Sequence, residues 1–375
     1  MQKTTLGLAG TEREDALGQT QRIDNIQALR ALAALLVVVI HIQANELRAA
    51  GDPFLSGWLY HGVAGVDLFF VISGFIMVHV TRGRFADTRN ALRFWFDRAL
   101  RVYPPVWLFT ALAIVGFYVQ GTQEFWFSQS GVVESFLLIP QSNPPLLGVS
   151  WTLIHELYFY LVFGLFLLVR ERFLPLGLGL WALIVAAGLA LGIDSTSNPW
   201  LAVAFHPHTY EFLLGAAAAL ILHRGWYRFP WLIAALGLAA FLTGAIFLGL
   251  RGPDDYPAWW GRVLAFGPAS ALLVLGMAAL ERDQGVRAPV WARRIGDWSY
   301  SLYLSHLLII AALAHIWTRF ARPGLADNVV FITLMLVLPV LFAALAYTMF
   351  ERPTLRAGKR LGDSMLPKRS PDRQD

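Results

Sequence analysis

The chain has 375 residues, 57% of them hydrophobic and only 15% charged, with a formal net charge of +5 and no cysteine. Its mean hydropathy is +0.54. Soluble domains carry about 25% charged residues, so a deficit spread along the whole length reads as a multi-pass membrane protein. The lack of cysteine excludes disulfides, thiolate metal sites and a cysteine nucleophile, and the residue pattern calls for no metal. The positive charge, once located, gives no reason for a nucleic-acid partner.

The chain opens with a polar tail, residues 1–24. This tail lacks the apolar core and small-residue cleavage site of a signal peptide, so the first apolar segment is expected to stay as an anchor. Apolar segments follow at about 26–42, 60–80, 102–120, 151–169, 174–193, 208–222, 231–250, 263–280, 299–317 and 329–350. Each is near the roughly 17–25 residues that a helix needs to cross a bilayer. The expected fold class is all-α, a polytopic transmembrane bundle of about ten spans over residues 25–352. With the N-terminus inside, only Arg48, Arg251, Arg262, Arg319 and Arg322 of the 30 Lys and Arg residues fall on the outer side. That asymmetry follows the positive-inside rule and puts both termini in the cytoplasm. The outer loop from Gln120 to Ser150 has no Lys or Arg and carries Trp126 and Phe127 as interfacial anchors. The tail 353–375 is basic and polar and reads as disordered. No loop is long enough to fold as a soluble domain.

Ionisable groups inside the spans carry the functional signal. The first span, "LRALAALLVVVIHI" (Leu29 to Ile42), holds Arg30 and His41. Eleven residues at about 100° each make roughly three turns, so both lie on one helix face, about 16 Å apart along the axis. Such groups normally face a bundle interior or a wet cavity. Arg30 snorkelling to headgroups and His41 capping a short span would account for that pair alone. Further groups weigh against so bland a reading: Asp67 in the second span, His155 and Glu156 in the fourth, Ser299, Tyr303 and His306 in the ninth, and Tyr347 and Glu351 at the end of the tenth. Histidine, with an unperturbed pKa of about 6.5, suits general-base work, and a nearby carboxylate, Glu156 or Asp67, would hold its tautomer. The same groups also suit a proton-coupled carrier of a lipid-linked saccharide.

The stretch "FWFDRALRVYPPVW" (Phe94 to Trp107) sets Arg98 and Arg101 one turn apart on a short helix. Pro104 and Pro105 mark a break or the start of the next helix. The two arginines fit equally as positive-inside anchors or as a phosphate clamp.

Together these stretches resemble the acyltransferase family 3 membrane proteins, which include O-acetyltransferases of exopolysaccharide, O-antigen and nodulation oligosaccharides. Arg30 and His41 match the family's signature of a basic residue, ten spacers and a histidine. Gly65 to Phe75, Arg98 to Trp107, Ser150 to Leu161 and Ser299 to Leu308 match four further blocks, in order. Asp97 stands where many members carry another Arg, and His155 where many carry an acidic or aromatic residue. The resemblance implies an acyl-CoA donor, foremost acetyl-CoA, with transfer to a hydroxyl of a glycan or lipid-linked saccharide. It implies a donor-binding set of Arg30, Arg98, Arg101, Ser299, Tyr303 and His306. His41 then acts as general base or as the nucleophile of an acyl-histidine, with Glu156 and Asp67 as its carboxylate partners. Trp126, Trp151 and Tyr158 are candidates for stacking on sugar faces. Longer members append an extracytoplasmic hydrolase-like domain, for which this chain has no room.

Overall fold

A computed structural model describes residues 22–49, 62–193, 197–249 and 259–365. The tails 1–21 and 366–375, with Lys3, Arg13, Lys368, Arg369 and Arg373, lie outside the described residues, as do Arg251 and the side chain of Arg48. Among the described residues there is no strand. The long helices are α1 (Asp24–Ala49), α2 (Ala64–Thr81), α3 (Thr88–Gln120), α4 (Trp151–Phe166), α5 (Leu174–Ala190), α6 (Thr209–Arg224), α7 (Pro230–Gly249), α8 (Trp259–Gln284), α9 (Val290–Trp317) and α10 (Leu325–Ala346). Nine stretches containing these helices are long and apolar enough to cross a membrane. The exception is α6, whose 16 residues make about 24 Å against a hydrocarbon core of about 30 Å.

The helix ends sort onto two faces. Glu281, near the end of α8, accepts the backbone N–H groups of Asp24 (3.0 Å) and Asn25 (2.7 Å). A carboxylate from a distant helix thus satisfies two of the N–H groups that a helix start leaves unpaired and meets the positive end of the α1 dipole. Buried Asn25 donates to the Met277 and Val286 carbonyls and accepts from the Ala288 N–H. Arg293 pairs with Asp24 and Arg22 with Asp297, which brings the start of α9 to the same place. From there α1 and α9 run in the same sense, with Gly296 against Gln27 and His306 beside His41. The helices α2, α6 and α8 run the opposite way. At their starts Arg262 pairs with Asp67 and His208 lies against Trp259; at their ends His79 meets His223 and Arg282 donates to the Leu222 carbonyl. On the face where α1 begins lie Arg22, the α2–α3 turn, the start of α3 and the ends of α4, α6 and α8, with most of the described basic residues. The described basic residues toward the opposite face are Arg262, Arg319 and Arg322.

Two elements depart from the sequence expectation. The helix α3 runs unbroken for 33 residues through Pro104 and Pro105. Each proline removes a backbone hydrogen bond, yet burial of Val102, Pro105, Val106 and Phe109 holds the helix on course. Asp87 caps its start by accepting from the Arg89 N–H (2.8 Å), and Gly121 ends it at φ 67°. The basic tail is helical rather than disordered over its first part. A π turn, Tyr347–Glu351, leads from α10 into α11 (Arg352–Met365). Gly358 and Gly362 let α11 lie directly on Leu100, Phe96 and Arg93 of α3, and Arg93 pairs with Asp363 at 2.9 Å. The charge of the tail was plain in the sequence; its small-residue seam finds meaning only against α3.

Small residues also set the crossing of α2 and α6. A Cβ on Gly74 would lie 1.9 Å from the Phe212 carbonyl oxygen, and one on Gly215 would lie 1.9 Å from that of Val71. Backbone cannot yield as a flexible side chain does, and close approach through small residues is how membrane helices gain packing. Gly74→Val is therefore expected to destabilise the fold by roughly 1–3 kcal/mol, the cost of core overpacking, read as a lower thermal midpoint in detergent. Gly116→Ala, where a Cβ meets nothing within 4 Å, should leave it unchanged.

Candidate active site

Two chambers lie between these helices. The larger, about 510 Å³, is lined by Arg30 of α1, Ser73 of α2, Arg98 and Arg101 of α3, Glu156 and Tyr160 of α4, and Ser299, Tyr300 and Tyr303 of α9, with Arg22 and Lys359 among its other lining residues. Its arginines are braced on aromatic rings. The Arg98 guanidinium lies 5.6 Å from the Phe94 ring centre and 5.7 Å from that of Tyr160, and the Arg101 guanidinium lies 5.7 Å from that of Tyr300. Glu156 accepts from the Ser73 hydroxyl at 2.8 Å and from the Tyr160 hydroxyl. Buried Glu351, in the π turn, accepts from Ser301 at 2.6 Å. Both Glu156 and Glu351 are close enough to act electrostatically on Arg30 and Arg101. Four arginines and Lys359 against Glu156 and the nearby Glu351 leave this chamber cationic, a setting that draws anions into a low-dielectric space.

The smaller chamber, about 310 Å³, is lined by His41, Arg262, Trp151, Gly148 and Tyr303, with apolar side chains between them. His41 Nδ1 lies 2.7 Å from the Val37 carbonyl oxygen and 3.2 Å from His306 Nε2. His306 Nδ1 lies 3.1 Å from the Leu302 carbonyl oxygen. A carbonyl only accepts, so both Nδ1 atoms carry the proton. His306 Nε2 is then the acceptor that shares the His41 Nδ1–H, and His41 Nε2 keeps its lone pair. A neutral imidazole held in that tautomer is equipped to take a proton.

Val66 and Tyr303 line both chambers. The Tyr303 hydroxyl donates to the Val149 carbonyl (3.1 Å) and lies 2.8 Å from Thr152 Oγ1, which pins the ring at the partition. The face shared by Arg30 and His41 therefore does line polar space, divided into two rooms along α1.

The predicted site residues fall into three groups. Arg30, Arg98, Arg101, Ser299, Tyr303 and Glu156 meet in the large chamber. Glu156 thus sits among the arginines, bonded to Ser73 and Tyr160, and not beside His41. The residue bonded to His41 is His306, which the sequence reading had set with the donor-binding group. Asp67 is fully buried and pairs with Arg262 at 2.6 Å. Sequence reasoning missed Arg262 as a chamber residue, counting it only among the outer basic residues. It also missed His208 and Glu211, which bond at 2.8 Å and cluster with Asp67 within 4.8 Å. Their signal was present, since Glu211 opens an apolar helix. Of the aromatic candidates, Trp151 lines the small chamber; Tyr158 donates to the Ala204 carbonyl, and Trp126 stacks on Phe117 at 5.1 Å, both away from the two rooms.

Residues 23–348 match the profile of Acyl_transf_3, an acyltransferase domain. The chain belongs to the acyltransferase 3 family. This family member is 32% identical over 312 residues to the exopolysaccharide production protein ExoZ of Rhizobium meliloti (strain 1021), covering 80% of this chain and 91% of ExoZ. It is 27% identical to acyltransferase MdmB of Streptomyces mycarofaciens, over 89% of this chain and 92% of MdmB. It is also 27% identical to nodulation protein 10 of Rhizobium leguminosarum bv. viciae, over 89% of this chain and 93% of that protein. No solved structure matches. The protein is a multi-pass membrane acyltransferase.

The absence of cysteine makes the partition directly testable. A single Gln27→Cys, in the large chamber, is expected to react with a membrane-impermeant thiol reagent applied to the face where α1 begins. Ile40→Cys, in the small chamber, is expected to react from the opposite face. Labelling of both from one face at equal rates would mean that the rooms are one.

Proposed function

We propose that this acyltransferase takes an acyl group, foremost acetyl, from acyl-CoA on the cytoplasmic side of a bacterial inner membrane and passes it to a hydroxyl of an exported or cell-surface glycan. The observation that carries the reading is the pairing of a cationic chamber with an adjoining chamber that holds a base, the two sharing Tyr303 and Val66. The donor side rests on charge. The CoA phosphates need cations to leave water, and Arg98, Arg101 and Arg30 supply guanidinium forks that match phosphate oxygens, with Arg22 and Lys359 also on the chamber wall. The cytoplasmic assignment rests on the concentration of basic residues at the face where α1 begins, in keeping with the positive-inside rule; it places both termini inside. The glycan acceptor rests on the likeness to ExoZ, named for exopolysaccharide production.

In this mechanism the phosphates stay among the arginines and the pantetheine arm reaches along α1 toward His41, about 16 Å from Arg30 by helix rise. The arm passes beside Val66 and Tyr303, which line both chambers. The glycan hydroxyl enters the small chamber from the other face. His41 Nε2 takes its proton as the oxygen attacks the thioester carbonyl. The carbon–oxygen bond forms, the carbon–sulfur bond breaks, and the proton returns from His41 to the CoA sulfur. His306 works through His41, by holding the tautomer.

The test is release of free CoA thiol by purified protein in lipid nanodiscs, with acetyl-CoA and a glycan acceptor. His41→Ala is expected to lower kcat by about 10²–10⁴, the usual contribution of a general base, with no loss of folded protein. Unimpaired transfer by that variant would remove the proposed base. Arg98→Ala and Arg101→Ala are expected to act on donor binding. Each should raise KM for acetyl-CoA roughly 10- to 100-fold, as for loss of a charge-assisted hydrogen bond of about 1.5–3 kcal/mol. An unchanged KM in both would leave them as topological anchors.

A further inference from the structure

We infer that Arg262 is the group that stabilises the negative charge of the acyl-transfer transition state. The inference rests on the O-acyl transfer at His41 proposed above and assigns the second half of that chemistry. When the acceptor oxygen adds to the thioester carbon, its proton goes to His41 Nε2 and the carbonyl oxygen becomes an oxyanion. That charge is discharged when the carbon–sulfur bond breaks and the sulfur takes the proton from His41. A site removed from bulk water must meet the oxyanion with fixed donors, and such donors are usually the largest single contribution to rate.

The small chamber offers few polar side chains for the task. Its side-chain donors besides His41 are Arg262, Tyr303 and the indole of Trp151. The single hydroxyl proton of Tyr303 is given to the Val149 carbonyl, and Trp151 carries no charge. Arg262 brings a permanent positive charge and five N–H groups. It is also held still. Its terminal nitrogen donates to Asp67 at 2.6 Å and to the Val63 carbonyl at 3.2 Å, and its guanidinium lies 5.4 Å from the Trp259 ring centre. Behind Asp67 stand His208 and Glu211, all three buried, so the cation is anchored in a buried polar cluster. Pre-organisation of this kind removes the need for reorganisation as charge develops. It also gives a reason for an ion pair whose burial is weak evidence of stabilisation in its own right.

Removing Arg262 alone would leave Asp67 buried and unpaired, so the test removes the pair. The double variant Asp67→Asn, Arg262→Gln is expected to elute as a monodisperse species with a near-native thermal midpoint. It should lose about 10²–10³ in kcat, as when an oxyanion donor is deleted, with KM for acetyl-CoA unchanged. A folded double variant that keeps the wild-type kcat overturns the inference. A second variant covers the case in which the double variant does not fold. Arg262→Lys keeps a cation opposite Asp67 but loses the planar fork. The ratio of transfer rates for fluoroacetyl-CoA over acetyl-CoA is expected to rise above the wild-type ratio, because a poorly supported oxyanion depends more on the electron demand of the acyl group. A purely structural role would leave the ratio at its wild-type value, and that result also overturns the inference. If wild-type protein releases no thiol with acceptor present, the proposed function itself fails; active wild type with an equally active double variant fails this inference alone.

Discussion

Charge inside hydrocarbon governs this molecule. An ionised side chain facing lipid is costly, so each intramembrane cation or anion needs a partner or a wet wall. Arg262 has Asp67, Glu156 has Ser73 and Tyr160, Glu351 has Ser301, and Arg98 and Arg101 lie over aromatic rings. The helices are arranged so that these demands are met together, around two chambers between the helices. Even the start of α1 obeys the rule, since its free N–H groups are met by Glu281 from α8.

The division into two chambers then gives the proposed chemistry its order. The donor proposed for this protein is a large anion and the acceptor a large polar sugar, and a single open channel wide enough for both would also admit water and ions. Two rooms with a common wall at Tyr303 and Val66 allow each substrate its own approach, and only the thin arm and the reacting hydroxyl have to meet. The chamber that would receive phosphates holds the arginines, and the chamber that would receive the hydroxyl holds the neutral imidazole.

Rigidity comes from close backbone contact. The crossings at Gly74 with Phe212, Gly215 with Val71 and Gly296 with Gln27 bring the backbones of α2 and α6, and of α1 and α9, into close contact. The long α3 packs Phe94, Val102, Val106 and Phe109 into the core, carries Arg98 and Arg101 to the large chamber, and supports α11 at Arg93, Phe96 and Leu100.

Hydropathy and spacing alone determined the membrane class, the number of long apolar helices, the uneven distribution of Arg and Lys, and the shared face of Arg30 and His41. Each of these follows from local periodicity or composition. The five ordered motifs likewise pointed to the family before any contact was known. Tertiary structure decided which distant groups meet. Glu156 went to the arginines and His306 to His41, although the sequence suited the reverse, because a helix fixes the face of a residue but not the neighbour opposite it. Arg262 and Asp67 are 195 positions apart, and His306 and His41 are 265 apart. No pattern within one helix encodes such a pairing; it arises from the order in which the helices pack and the depth at which their polar residues come to rest.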